Sequence, residues 1–408
     1  MPGPGSYLIG EEEKKELEEV IKSGYLVRYG SEDDKNFKRK VATFEKEFSQ
    51  YTKIKYCIAM NSGTSALLSS LAALGIGPGD EVIVPGYTFI ASISAIIYAR
   101  AIPVLCEIDK SLTMDPSDVE KKITKRTKAI MPVHMLGNPC DMNRILKIAK
   151  KYNLYVIEDC CQAVGGSYRN KKLGSFGEIG AYSMNWYKII TTGDGGVFAT
   201  NDKNLYEKAF GFHDQGHMPL RFGLEIGNRS IIGLNFRINE LTGAVALAQL
   251  RKLNKIIDTL RYKKSKLKNL IGDMPGVSFR KINDPGECAT LLTLIFKNSK
   301  DANSFANKIG AKTLMHSGWH VYNNMEQILE KKLPTSFKCP FDCKEYGEEM
   351  TYEKGMLPKT DDILSRAVNI STGVVDAGIG ANFGININSN DEEIEFVAKK
   401  IKGYVKSL

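Results

Sequence analysis

No stretch of the 408-residue chain approaches the roughly 18 consecutive apolar residues of a membrane-crossing helix. The start, MPGPGSYLIGEEEKKELEE, lacks the basic and then apolar segments of a secretory signal, so none is expected. Repeats of about 20–50 residues and low-complexity segments are missing too, which excludes solenoids and compositional disorder. Cysteine is thinly spread. Eight residues over a long chain fit reduced thiols in a cytoplasm better than a disulfide scaffold. Acidic residues fall short, with 47 Asp+Glu against 56 Lys+Arg, a net charge of +9. Nucleic acid, a membrane surface or an anionic small molecule would each suit that surplus. What is present is ordinary for a globular protein. Hydrophobic residues make up 43% and charged residues 25%, with enough chain for a large core and two or three domains.

Leu17, Val20 and Ile21 stand among Glu and Lys over residues 10–23, the spacing of an amphipathic helix. Residues 38–51 read the same way. From residue 55, short apolar runs alternate with helical periodicity. The runs cover 56–60, 81–85, 102–106, 129–133, 154–158, 180–184 and 197–200. Helical stretches lie near 64–74, 89–100, 116–122, 141–152 and 202–211. This alternation predicts an α/β sheet with helices on both faces. A helix over 237–256 carries Gly243, Ala244, Ala246 and Ala248, so a neighbour packs close to it. Beyond Arg261 the texture is mixed, with apolar runs at 291–296 and 384–387 and a helix near 391–404. Residues 1–257 are read as a large domain with an N-terminal helical arm, and 258–408 as a smaller α+β domain. An irregular excursion is expected over 321–360, which is rich in Lys, Glu and Pro.

Three motifs carry chemistry. Asn61-Ser62-Gly63-Thr64-Ser65-Ala66 follows a strand and precedes a helix. Free amides at a helix start, a glycine that permits close approach and nearby hydroxyls make a cradle for a phosphate. The same residues suit a plain helix N-cap. The run Gly75-Ile76-Gly77-Pro78-Gly79 follows a helix and precedes a strand, the wrong order for a dinucleotide fingerprint, and is read as a turn. In Val156-Ile157-Glu158-Asp159-Cys160-Cys161-Gln162 an acidic residue ends a buried strand, where open α/β sheets bind ligands. A carboxylate there could pair with a protonated ring nitrogen, or simply cap the next helix. In the segment 183–196, Lys188 enters a turn dense in Thr and Gly. An amine held in a cleft can condense with an aldehyde cofactor. A lysine alone would be a solvated surface charge. The order of the three motifs lifts it above that: phosphate cradle, strand-end Asp159, then Lys188 29 residues later.

On these motifs the chain resembles the DegT/StrS-type sugar aminotransferases, which use pyridoxal 5′-phosphate. The resemblance runs from about residue 5 to 256, and more loosely to the end. It rests on SGTSAL at 62–67, GDEVIVPGYTF at 79–89, VIEDCCQAVGGSY at 156–168, SMNWYKIITTGDGG at 183–196 and GLNFRINELTGAVALAQL at 233–250. It implies a fold type I transferase: a large cofactor-binding domain with a mostly parallel seven-stranded sheet flanked by helices, plus the smaller α+β domain. By matching position, Lys188 would form the Schiff base with the cofactor and then shuttle a proton. Asp159 would pair with the pyridinium nitrogen, Gln162 would approach the ring's 3′ oxygen and Phe89 would stack on the ring. Gly63, Thr64 and Ser183 would hold the phosphate. Asn235 would reach the phosphate of the neighbouring subunit, which implies a homodimer with shared sites.

The implied activity moves an amine from glutamate or glutamine to a keto-sugar, nucleotide-linked or otherwise anionic, in amino sugar, lipopolysaccharide or aminoglycoside-type biosynthesis. Members that dehydrate the sugar carry His in place of the lysine, so Lys188 favours transamination. LIGEEE, LVRYG, FHDQGH and FRINE also resemble branches that make a 3-amino hexose phosphate or an 8-amino octulosonate. A non-catalytic cofactor-binding regulator and a basic nucleic-acid-binding protein are the rivals from other classes; neither nucleic acid nor membrane is expected as a partner. His316, Trp319 and His320 are expected on the substrate side. His316, His320, Cys339 and Cys343 are zinc-compatible types in an unusual order, and no metal is expected. His134 is expected to make a structural hydrogen bond. Cys160 and Cys161 stand where the family usually has small residues, bringing bulk or redox sensitivity near the ring. Residues 251–268, with eight Lys/Arg and one acid, read as a solvated basic helix.

Overall fold

A computed structural model of the chain describes residues 3–31, 33–219, 227, 229–334, 339–342 and 350–408. The N-terminal arm holds helices α1 (Glu11–Ser23) and α2 (Lys40–Thr52). Strands and helices then alternate: β1 (Tyr56–Met60), α3 (Gly63–Leu74), β2 (Glu81–Pro85), α4 (Ile90–Tyr98), β3 (Ile102–Cys106), α5 (Pro116–Lys122), β4 (Thr127–Ile130), α6 (Met142–Tyr152) and β5 (Tyr155–Asp159). A small hairpin, β6 (Ser167–Tyr168) and β7 (Lys171–Lys172), precedes β8 (Ile179–Ser183), β9 (Gly196–Thr200), α7 (Lys203–His213) and α8 (Glu240–Ile271).

Seven of these strands form one sheet in the order β1-β9-β8-β5-β4-β2-β3. Neighbours from β8 to β3 run parallel. β9 is antiparallel to both β8 and β1, so β1 points the same way as the parallel set. β2, β8 and β9 are buried at every residue, as strands covered on both faces must be. Side chains alternate between two cores. Ile58, Val84, Ile157 and Phe198 face one; Ala59, Ile83, Val156 and Val197 face the other. Each buried aliphatic of this size is worth about 1.5–3 kcal/mol. The run expected over 129–133 pairs only as Thr127–Ile130, because Pro132 has no amide to donate, and Val133 keeps a single bridge to Asp159.

The helix expected over 237–256 begins at Glu240 and continues to Ile271. Leu260, Leu267 and Ile271 keep its apolar stripe, and nothing breaks it before Gly272, at φ 65°. Near its start a Cβ on Gly243 would lie 2.7 Å from Val41 of α2, which explains the small residues there. Beyond it come β10 (Val277–Phe279), β11 (Leu291–Phe296), α9 (Ser299–Lys308), α10 (Glu326–Leu329), α11 (Pro358–Ser365), β12 (Ala367–Ser371) and α12 (Asp391–Lys406). β10, β11 and β12 form an antiparallel sheet. The run at 384–387 forms no strand; Gly384 makes one bridge to Ser371. No helix among the described residues is long and apolar enough to cross a membrane.

Candidate active site

β1, β2, β5 and β8 end on the same edge of the large sheet, where β9 begins. A cavity of about 560 Å³ opens there. Gly63, Thr64, Phe89, Asp159, Gln162, Ser183, Lys188, Trp319 and His320 all line it. Asn235 and His316 do not. Asn235 lies in an adjoining depression with Arg28, Asn61 and Arg237, and the two hollows share Asp194. His316 is exposed. It ends one short 3-10 turn while His320 ends the next, so their four-residue spacing does not place them on one helical face.

The start of α3 is capped by a side chain and leaves free amides. Ser62 Oγ accepts the Ser65 amide at 3.0 Å. The amides of Gly63 and Thr64, at the first two helical positions, have no intrahelical acceptor. A Cβ on Gly63 would lie 2.8 Å from both Ser183 Cβ and Cys161 Sγ. Only glycine therefore lets the three motif loops converge around this helix end.

Asp159 is buried at the end of β5. Its Oδ2 accepts Ser92 Oγ at 2.7 Å and its Oδ1 accepts the Cys161 amide at 3.0 Å, so the carboxylate is fixed by two donors. Gln162 Oε1 accepts the Leu136 amide at 2.9 Å, which leaves its NH2 end as a donor. Lys188 Nζ stands 5.9 Å from the Phe89 ring centre, and the Phe89 and His320 rings are 5.2 Å apart. Burial, reinforced by the Lys188 charge, pushes His320 down to about 4. Its Nδ1 lies 3.0 Å from the Gly378 carbonyl, which can only accept. Nδ1 therefore carries the proton in the neutral ring and Nε2 keeps its lone pair.

Several lining residues escaped the sequence reading. Ser92 is three residues past Phe89, a same-face spacing that could have flagged it. Asp376 and Gly378 arrive from the loop after β12, and no motif marks them. Cys161 reaches the cavity, while Cys160 is buried and does not line it. Burial and the Asp159 charge push the Cys161 thiol well above its ordinary value.

His134 is held as a structural group. Its Nε2 lies 3.1 Å from Glu158 Oε2, and its Nδ1 accepts the Cys140 amide. Glu158 also accepts the amides of Gly174, Phe176 and Gly177. These bonds engage His134 and Glu158, which with Cys160 make the one cluster of ligand-type groups found among the described residues. His316, His320 and Cys339 form no such cluster, and Cys343 lies outside the described residues.

The basic stretch 251–268 is only partly a solvated face: Arg251, Lys255 and Lys268 are exposed, while others are paired or buried. Arg251 pairs with Glu16 and Glu47, Lys252 with Glu13, and Lys266 with Asp391. Lys263 and Lys264 are buried, on the Ser389 carbonyl and Glu287 respectively. The N-terminal arm, the loop before β11 and the start of α12 bring carboxylates and carbonyls to these bases, which sequence proximity does not reveal.

A profile described as the DegT/DnrJ/EryC1/StrS aminotransferase family matches residues 8–374. Among similar curated proteins is the GDP-perosamine synthase of Caulobacter vibrioides, 46% identical over 222 residues, which are 53% of this chain and 58% of that protein. The GDP-perosamine synthase of Escherichia coli O157:H7 is 41% identical over 250 residues, 61% of this chain and 65% of that protein. The chain spans about three-fifths of the length of these relatives. Among solved structures, an aminotransferase from Psychrobacter cryohalolentis superimposes with a TM-score of 0.78 at 26% identity, covering 100% of this chain and 99% of that one.

Proposed function

The chain belongs to the DegT/DnrJ/EryC1/StrS aminotransferase family, and on that premise we propose that it is a pyridoxal 5′-phosphate-dependent aminotransferase acting on a keto-sugar. One observation carries the reading: an amine, a buried carboxylate, an open helix N-terminus and an aromatic ring converge on a single cavity. When bound, the cofactor supplies an aldehyde that condenses with amines and a ring that accepts electrons from the adjacent carbon.

The residues fit that group. The tight packing at Gly63 leaves two amides and the Ser183 hydroxyl to hold a phosphate without any cationic side chain. Asp159, gripped by Ser92 and Cys161, is set to hold a protonated ring nitrogen. Phe89 covers a ring face, and the NH2 of Gln162 donates to a ring oxygen. Lys188 is the only amine on the cavity wall among the described residues, so it is the group that takes and returns a proton there. Neutral His320 packs on Phe89 without adding a second positive charge beside it.

The substrate in this reading is a nucleotide-linked keto-sugar, in line with relatives named GDP-perosamine synthase. Glutamate or glutamine is the donor. Two copies share their sites, with Asn235 serving the neighbour's phosphate; Asn235 lines a depression outside this chain's own cavity. The same reading divides the chain into a large cofactor-binding domain of residues 1–257 and a small domain of 258–408. The test is to incubate the cofactor-loaded protein with glutamate and a panel of GDP-linked and other keto-sugars. Mass spectrometry should find an amino sugar from a nucleotide-linked member. A product only from sugars without a nucleotide would overturn that substrate class.

A further inference from the structure

Among the described residues Lys188 is the one lysine or arginine on the wall of the catalytic cavity, while four others crowd a different hollow. A cleft of about 260 Å³ lies between α8 and the small sheet, lined by Arg261, Lys264, Ser265, Lys268, Arg280 and Thr293 among others. The four from α8 stand at i, i+3, i+4 and i+7, so they share one helical face. Among the described residues Glu287 is the only carboxylate on the wall, which leaves four cations against one anion.

The hydrogen bonds make the imbalance concrete. Lys264 Nζ takes both Glu287 oxygens at 2.6 Å. Arg261 donates to the carbonyls of Gly286 and Glu287. Arg280 is 3% exposed; its Nη2 donates to the Leu136 carbonyl at 3.0 Å, and its Nε has no acceptor among the described residues. Lys268 is exposed at the rim, its Nζ over the Phe279 ring, with no carboxylate pairing it among the described ion pairs. Burial pushes Lys264 down to about 8 against the pull of Glu287, and lowers Arg280 as well. Buried like charges call for a compensating ion.

We propose that this cleft is a second anion site, for a small phosphate-bearing molecule, and that its occupancy is felt in the catalytic cavity. Arginine, lysine and the Ser265 hydroxyl together suit an anion with several oxygens. The path to the cavity is short. Arg280 and Thr290 both donate to the Leu136 carbonyl. Leu136 sits at φ 56°, a strained conformation for a residue with a side chain. Its amide holds Gln162 on the cavity wall. An anion that draws the guanidinium toward the cleft pulls on this peptide and hence on Gln162.

The test titrates inorganic phosphate into cofactor-loaded, desalted protein, followed by calorimetry and by the absorbance of the bound cofactor. One saturable site per chain is expected, with the same midpoint in both signals. Lys268→Glu should weaken that midpoint at least tenfold in both. Absence of saturable heat, or heat that Lys268→Glu leaves unchanged, overturns the site. Saturable heat with an unmoved absorbance overturns the link to the cavity. A protein that takes up no cofactor would instead sink the aminotransferase reading, and calorimetry with Lys268→Glu would still judge the cleft.

Discussion

Asp159 depends on Ser92 for one of its two donors. Ser92→Ala removes a hydrogen bond to a charged group, worth about 1.5–3 kcal/mol. If that energy serves the orientation of Asp159, kcat should fall by roughly ten- to a hundredfold with the fold intact. Steady-state kinetics beside circular dichroism would check this, and an unchanged kcat would remove Ser92 from the site. His320 offers a second residue-level test. Its folded value of about 4 lies below the ordinary 6.5. Stability from burying the neutral ring is therefore complete above pH 6.5 and is lost as the pH falls through 4. The imidazole resonances of His320 should titrate near pH 4, and a midpoint near 6.5 would show an open, solvated ring. Lys188, Asp159 and Gly63 were legible because each sits in a dense motif between a strand and a turn or helix. Ser92 and Asp376 were not. One is an unremarkable helical hydroxyl, and the other lies some 190 residues beyond Lys188 in a loop that only tertiary packing delivers.

Two elements decide the architecture of the site. At the start of α3, Gly63→Ala forces a methyl group against Ser183 and Cys161. Cofactor affinity should drop at least tenfold while the remaining secondary structure persists; equilibrium dialysis would measure it. Where α8 meets the loop before β11, Glu287→Gln leaves Lys264 and Arg280 buried without a carboxylate. Breaking such a pair costs about 3–5 kcal/mol, to be read as a lowered urea midpoint. Lys264→Met with Glu287→Leu should recover much of that loss. The strands at 56–60, 81–85 and 102–106 could be read from the sequence because turn residues bound their apolar runs. β12 could not. Asn369 and Ser371 look like loop residues, yet both are buried and paired, Asn369 with Thr293 and the Ile379 carbonyl, Ser371 with the Ile385 carbonyl. The full length of α8 was hidden by lysines that read as solvated, of which Lys252, Lys263, Lys264 and Lys266 prove to be partnered.

For the whole molecule, the surplus of nine positive charges changes meaning. Bases on α8 tie the helical arm to the helix through Glu13, Glu16 and Glu47, and the loop before β11 and α12 to it through Glu287 and Asp391. The candidate cavity itself is lined by Lys188, Asp159, Asp194 and Asp376, so its charge does not come from that surplus. A nucleic-acid face of α8 would need those same bases free. Binding to duplex DNA at physiological salt should be no tighter than the roughly micromolar non-specific range. The account rests on Lys188 acting as the cofactor's amine. Protein reconstituted with pyridoxal 5′-phosphate should show the violet absorbance of the lysine-linked cofactor, lose it on addition of glutamate, and regain it with an accepted keto-sugar. Lys188→Ala should lack the band from the start. A wild-type protein without the band after reconstitution, or with a band that glutamate and glutamine both leave unchanged, would contradict it.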